Sequence, residues 1–378
     1  MLTIAIPQLY CGASGQRGAY NRQEVGLARA FAALGARAVV LYPAPGADKI
    51  EVETPAEKVK VLYCPAKTLG VNAFYKSWQP LLDEKVDAVH VMGDNSLAVP
   101  GLYRFCRAHG IFFYSQLGAL ASQSQNPAVR RVMDLFCRRN LAIYRRTPTY
   151  AKTQAVADEL EALRVPCAGV LPVGLDTAII PEISEPRAAL RRRLGLDENA
   201  NYLLFVGRLD PYKRPLDVAA VLAALPETWQ AIVIGQGSLA GALAEEMQAN
   251  GLQDRWRQIP QLPNAEVQAY YHACDVFLNC NDREIFGMSL LEAMYAGCVP
   301  VARCAPGPDM IVEDGVSGFL VEPGVGDTAA LASAVRKAAE APAMADAAKA
   351  RIRSKFLWRN SAETALAMLQ TKGVNRDG

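Results

Sequence analysis

Short apolar runs and amphipathic stretches alternate along nearly the whole chain. Residues 2–7, 38–42, 59–63, 88–92 and 111–115 are apolar runs of strand length. Their lack of polar alternation predicts strands buried on both faces of a parallel sheet. Between several of them, residues 21–34 and 97–108 carry apolar positions at helical spacing. The rhythm changes at Leu171-Pro-Val-Gly-Leu-Asp176, and Pro181 and Pro186 mark a strand-poor stretch that reads as a linker. A second series then begins at 202–207 and continues through 231–234, 276–279 and 299–302. Strand–helix alternation of this kind predicts an α/β fold, built as two Rossmann-like halves facing each other across a cleft. In such sheets ligands bind beyond the carboxyl ends of the strands.

A chain of 378 residues is too long for one ordinary core, which fits that division. Half of the residues are apolar and the net charge is +2, which excludes a disordered chain and a protein that coats nucleic acid. No run is long enough to span a bilayer. The first seven residues lack a basic region and a long apolar core, so they read as a strand and not as a signal peptide. Nine cysteines lie singly between Cys11 and Cys304, with no C-x-x-C pair. That pattern predicts free thiols and a reducing cytoplasm, not a disulfide framework. His90, His109 and His272 are too dispersed to suggest a metal site, and no D-x-D pair is present to hold a metal–diphosphate.

The segment Glu284-Ile-Phe-Gly-Met-Ser-Leu-Leu-Glu292 carries the most chemical information. It follows a predicted strand end, and Gly287 lets backbone come close to a ligand. A helix starting near Met288 or Ser289 offers unpaired N–H groups and a partial positive charge, which suit a phosphate. Glu284 on the turn and Glu292 inside the helix could accept hydrogen bonds from hydroxyls on either side of it. Carboxylates reading hydroxyls around a phosphate suggest a nucleotide-sugar. Ser289-Leu-Leu-Glu292 also fits a plain capping box.

The strand at 202–206 leads into Gly207-Arg208-Leu-Asp-Pro-Tyr-Lys213-Arg214. Arg208 and Lys213 leave that strand end together and suit a diphosphate, although a solvated basic loop has the same composition. The strand at 231–234 ends in Gly235-Gln-Gly237-Ser238, which says only that something approaches the backbone there. The glycine-bearing loop after the first strand, Gly12 to Gly18, lacks Walker A spacing. Across 129–152, Arg131, Arg138 and Arg145 recur every seven residues and share one helical face if the helix runs that far. Thr147-Pro148 marks its stop. The basic face reads as solvated, with contact to anionic lipid as the alternative.

Together these segments resemble glycosyltransferase family 4, retaining enzymes of the GT-B fold. Phe205-Val-Gly-Arg208…Lys213 is similar to that family's F-V-G-R-L-x-x-x-K-G run, with Arg214 where glycine is usual. Glu284…Glu292 fits its E-x7-E motif, and Pro308-Asp-Met-Ile-Val-Glu-Asp-Gly315-Val-Ser-Gly318 resembles its P-E-I-V-x-D-G-x-x-G run. The stretch 354–369, with Phe356 and Trp358, is similar to the terminal helix that crosses back to the first domain. The resemblance implies an acceptor-side domain over 1–172 joined by a returning helix at 356–378. It implies a nucleotide-sugar domain over 173–355.

Under the resemblance, Arg208 and Lys213 hold the leaving diphosphate. Glu284 faces the donor sugar and Glu292 the ribose. Gly207, Gly235 and Gly237 line the donor site, and backbone N–H groups from Phe286 through Gly287 and Met288 to Ser289 meet the phosphates. Gly15 and Gly18 border the acceptor, and loops at 69–76 and 117–126 choose it. Two departures stand out. Gln116 occupies the region where many members carry a histidine near the sugar, and Asp309 stands where glutamate is common.

The expectation is therefore a hexosyltransferase that takes a UDP- or GDP-linked sugar and a saccharide or lipid-linked acceptor. It needs no metal and no cofactor beyond the donor, and it works in the cytoplasm or at the inner membrane face. Other GT-B chemistry, a phosphorylase or a nucleotide-sugar epimerase, is the runner-up. A non-catalytic nucleotide-sugar-binding subunit is the reading from a different class.

Overall fold

The computed structural model describes residues 1–11, 22–120 and 127–374. The chain divides into two compact units, Met1–Asp176 with Leu357–Gly378, and Thr177–Phe356.

The first unit is built on one sheet. Its strands are β1 (Thr3–Pro7), β2 (Arg37–Pro45), β3 (Glu51–Ala56), β4 (Val59–Leu69), β5 (Asn72–Tyr75), β6 (Ala88–Val91), β7 (Phe112–Leu117) and β8 (Thr149–Ala151). The order is β3-β4-β2-β1-β6-β7-β8, with β5 also on β4. The pairings from β4 to β8 are parallel, as the continuous apolar runs require. β3 and β5 pair antiparallel with β4. Neither was legible as a buried strand, because Glu-Val-Glu-Thr-Pro-Ala of β3 lies on a largely solvated edge and β5 is only four residues long. The stretch 69–76, expected to be an acceptor-side loop, is instead mostly the hairpin formed by β4 and β5. The expected loop 117–126 lies mainly outside the described residues.

Helices α1 (Gln23–Ala33), α2 (Gln79–Asp83), α3 (Val99–Ala108), α4 (Pro127–Tyr144) and α5 (Gln154–Ala162) complete this part of the unit. Ile4, Ile6, Leu27 and Phe31 are fully buried and fix α1 to the sheet. α4 ends at Tyr144, so Arg145 does not share a helical face with Arg131 and Arg138. The Arg145 guanidinium turns instead to the carbonyls of Leu163 and Arg164, where it satisfies acceptors left open at the end of α5.

The second unit carries a wholly parallel sheet of β9 (Asn201–Val206), β10 (Trp229–Ile234), β11 (Trp256–Ile259), β12 (Val276–Asn279), β13 (Val299–Arg303) and β14 (Phe319–Val321). The order is β11-β10-β9-β12-β13-β14. Its helices are α6 (Arg187–Arg193), α7 (Asp217–Ala223), α8 (Ala240–Ala249), α9 (Asn264–Ala273), α10 (Met288–Ala296), α11 (Pro306–Ile311), α12 (Asp327–Ala339) and α13 (Pro342–Lys355). From β9 the chain builds outward through β10 and β11, then returns to place β12 on the other side. The order therefore reverses between β9 and β12, and the loops after these two strands diverge to leave a crevice above their carboxyl ends.

The chain then returns to the first unit as α14 (Trp358–Thr371), which packs on α1. Trp358 is buried, Ser361 Oγ donates to the Pro172 carbonyl at 2.7 Å, and Leu175 and Leu357 form a parallel bridge. Arg29 on α1 pairs with Asp176 at 2.6 Å, which ties down the same corner.

Candidate active site

The loop after β9 starts as an extension of the sheet. Gly207 N–H donates to the Ile234 carbonyl, and Leu209 N–H to Gln236, both at 3.0 Å. Such pairing brings two loop backbones together, and Gly235 permits it. A Cβ at Gly235 would lie 1.8 Å from the Gly207 carbonyl oxygen, and one at Gly237 would lie 2.6 Å from that of Leu209. The two glycines thus serve a close approach of backbone to backbone. Past Leu209 the loop closes in a 3-10 turn, Pro211–Lys213, which aims Lys213 at the loop after β12.

That second loop carries Glu284. Lys213 Nζ forms a close ion pair with Glu284 Oε2, and Asn281 Nδ2 donates to the same oxygen at 3.1 Å. The Gly307 N–H holds the Glu284 carbonyl at 2.9 Å. The structure therefore unites Lys213 and Glu284, which lie 71 positions apart in sequence. Gly287 follows with φ +100°, a left-handed turn that an L side chain would strain, and it is the N-cap of α10. The first N–H groups of α10 point out of the helix start beside this pair, where the dipole favours an anion. Met288 and Ser289 are half-buried at that start. Phe286 is buried and packs edge-to-face on Phe356, with centroids 6.4 Å apart, so its side chain serves the core.

Glu292 lies in the second turn of α10 and is 5% exposed. Tyr271 Oη donates to it at 3.2 Å and Asn264 Nδ2 at 3.3 Å, both from α9. The capping-box alternative does not hold, because the N-cap is Gly287 and Ser289 is already the second helical residue. Sequence reading missed Tyr271 and Asn264. They lie seven apart and so share a face of α9, but nothing in the sequence links that face to Glu292.

Arg208 sits apart from the Lys213–Glu284 pair. Its side chain is 73% exposed and its guanidinium binds Asp210 at 2.5 Å. Asp210 also accepts from the Ser238 N–H at 3.1 Å and the Ser238 hydroxyl at 3.0 Å. Those Ser238 bonds first, and Arg208 after them, hold its carboxyl below the ordinary value. Asp309, the short replacement for glutamate, reaches back to the Ala305 N–H at 3.1 Å and closes the start of α11. Cys304 sits beside Asp309 and Glu322, and burial foremost pushes its thiol up to about 12, which keeps it protonated and inert.

Residues 186–355 match the family model described as glycosyl transferases group 1. That match covers nearly the whole of the second unit. A D-inositol 3-phosphate glycosyltransferase of Geodermatophilus obscurus is 35% identical over 193 residues, 48% of this chain and 42% of that protein. The chain thus spans less than half the length of the curated relatives it matches. Among solved structures, sucrose-phosphate synthase from Thermosynechococcus elongatus superposes with a TM-score of 0.76 at 19% identity, over 99% of this chain and 100% of that one. HepE of Anabaena, in complex with UDP-glucose, reaches 0.71 at 19% identity, over 98% and 100%. The fold of the whole chain is GT-B.

Within the matched region Lys213, Glu284 and Glu292 all lie at or beyond the carboxyl ends of the central strands. Arg214, at the position where the family's motif has glycine, has φ +50° and ψ +50°. The backbone there is left-handed, which explains why glycine suits the position and leaves the arginine strained.

In the first unit, Gly15 and Gly18 lie outside the described residues. Gln116 is fully buried and its amide is committed on both ends: Nε2 donates to the Leu171 carbonyl at 2.6 Å, and Oε1 sits 3.1 Å from His90 Nε2. It therefore ties β7 to the 171–172 turn. Sequence reading also missed Glu24. This buried carboxylate on α1 accepts from Gln8 Nε2 at 2.7 Å and Tyr42 Oη at 2.9 Å, and burial raises its pKa.

Proposed function

We propose that the chain is a retaining glycosyltransferase, moving a hexose from a nucleotide diphosphate sugar to the hydroxyl of a saccharide or lipid-linked acceptor. The observation that carries this reading is the meeting of Lys213 with Glu284 beside the start of α10, with Glu292 buried in the second turn of that helix. A cation and a helix N-terminus face the diphosphate, and two carboxylates flank it for hydroxyls. Glu284 would orient the sugar and Glu292 the ribose. As the bond from the anomeric carbon to the diphosphate oxygen breaks, its electron pair stays on the diphosphate. Lys213, the exposed Arg208 and the α10 dipole stabilise that charge, so the reading calls for no resident metal. The acceptor hydroxyl attacks the same face and passes its proton to a leaving-phosphate oxygen, which retains the configuration.

The HepE complex with UDP-glucose supports a UDP-linked donor, and the name of the curated relative puts phosphorylated polyols in the acceptor screen. The described cysteines are free, which suits the cytoplasm. No helix among the described residues is long and apolar enough to cross a membrane. Exposed Leu135 and Phe136 on α4, among Arg130, Arg131, Arg138 and Arg139, support peripheral contact with an anionic membrane face.

A thermal-unfolding panel of UDP, GDP and ADP tests the donor site. One nucleotide should raise the midpoint, because binding to the native state adds stability. Glu292→Gln should bind that nucleotide about tenfold more weakly, the loss expected of a charge-assisted hydrogen bond. A midpoint unmoved by all three at millimolar concentration would rule the site out.

A further inference from the structure

Arg214 costs the loop a left-handed residue, and its side chain shows what that residue does. Nη1 binds Asp282 Oδ2 at 2.8 Å and Nε binds Asp217 Oδ2 at 2.8 Å. The same Asp217 oxygen accepts from Arg303 Nη1 at 2.6 Å, and Arg303 Nε binds Asp327 Oδ2 at 2.7 Å. Arg303 is fully buried and also donates to the Cys280 carbonyl at 2.6 Å. A chain of alternating charges, Asp282–Arg214–Asp217–Arg303–Asp327, therefore runs from the surface of the crevice into the core. Asp282, and Cys280 whose carbonyl Arg303 also holds, belong to the segment between β12 and α10 that presents Glu284. Arg214 is the residue next to Lys213.

We propose that Arg214 is a positioning residue, a latch that holds the Glu284 loop against Lys213 before a donor arrives. The inference rests on the donor-site reading above. Lys213 and Glu284 ride on loops that leave the sheet in opposite directions, and an ion pair at a partly solvated crevice does not by itself fix two loops. A guanidinium bridging Asp217 and Asp282 does, because its planar fork serves both carboxylates at once, and Arg303 anchors Asp217 from the dry side. Preorganisation of this kind improves affinity by lowering the ordering cost at binding. Glycine at 214 would relax the backbone and forgo the latch; this chain retains the strained arginine.

The test compares Arg214→Gly, Asp282→Asn and the double variant with the parent chain. Calorimetric titration uses whichever of UDP, GDP or ADP the parent binds, alongside backbone amide exchange over 280–287. Each single variant should bind about tenfold more weakly, and the double variant no more weakly than either single one, since both cut the same link. Arg214→Gly should exchange faster across 280–287 while its unfolding midpoint holds or rises, because the strained residue is gone. An affinity and exchange equal to the parent's would overturn the latch and leave the donor site standing. A fall in affinity matched by a fall in midpoint in all three variants would reduce Arg214 to a fold-stabilising residue. A parent that binds none of the three nucleotides would overturn both readings.

Discussion

At the scale of single residues, the chain separates polar groups that face the crevice from polar groups sealed away from it. Lys213 and Glu284 keep part of their surface in solvent, whereas Gln116 and His90 are fully buried. Sequence alone does not make that distinction, because a glutamine or histidine at a strand end looks the same whether it faces a ligand or a neighbouring carbonyl. Arg303 was missed for a related reason. It extends an apolar strand by one charged residue, and only the fold shows Asp217 and Asp327 waiting for it. His90 makes its burial measurable. Loss of water pushes its pKa down from 6.5 to about 4, and its Nδ1 has no partner among the described residues. The imidazole is therefore neutral in the fold. Above pH 6.5 folded and unfolded chains are both neutral there, and the contribution is fully present. Between 6.5 and 4 the unfolded chain takes up a proton that the fold refuses, so stability falls as pH drops, by about 3 kcal/mol over the window. The unfolding midpoint of the first unit should thus decline from pH 7 to pH 4.5, and decline less in His90→Asn, which keeps a polar group but does not titrate. Equal slopes in the two proteins would show that His90 does not carry the effect.

At the scale of elements, strands with continuous apolar runs were legible and strands defined by their partners were not. β1, β2, β4, β6, β7, β9, β10, β12 and β13 follow from composition, because burial on both faces excludes polar alternation. β3, β5, β8, β11 and β14 are short or edge-bound and owe their pairing to the strand beside them. α10 was legible from its turn glycine, yet its cap differs: Gly287 fills the position, and Ser289 is already the second helical residue. α4 was legible as a basic helix, and the structure adds its apolar element. Leu135 is 61% exposed and Phe136 44%. If this face meets the membrane, the chain should co-sediment with vesicles containing phosphatidylserine and not with phosphatidylcholine alone. Replacing Leu135 and Phe136 together with serine should weaken that partition about tenfold, the effect of removing buried apolar area from a basic interfacial helix. Partition that depends on neither the anionic lipid nor the two side chains would contradict it.

At the scale of the whole molecule, the two-unit α/β plan was readable because strand–helix alternation repeats on either side of the proline-bearing stretch after Asp176. What residue pattern alone did not carry, and only the family resemblance implied, is the meeting of Lys213 and Glu284. It arises from strand order: β12 settles on the far side of β9 from β10, and that placement depends on packing between remote segments. The central claim is that this crevice binds a nucleotide-sugar and stabilises its leaving diphosphate. The most direct measurement is release of nucleoside diphosphate from UDP-, GDP- and ADP-hexoses, by the parent chain and by Lys213→Ala, with and without a panel of acceptors. The account predicts release from one donor, faster with a suitable acceptor, and about 100-fold slower in Lys213→Ala, as expected when a group that stabilises developing charge is removed. Release that is unchanged in Lys213→Ala, or absent with every donor that binds, would contradict it.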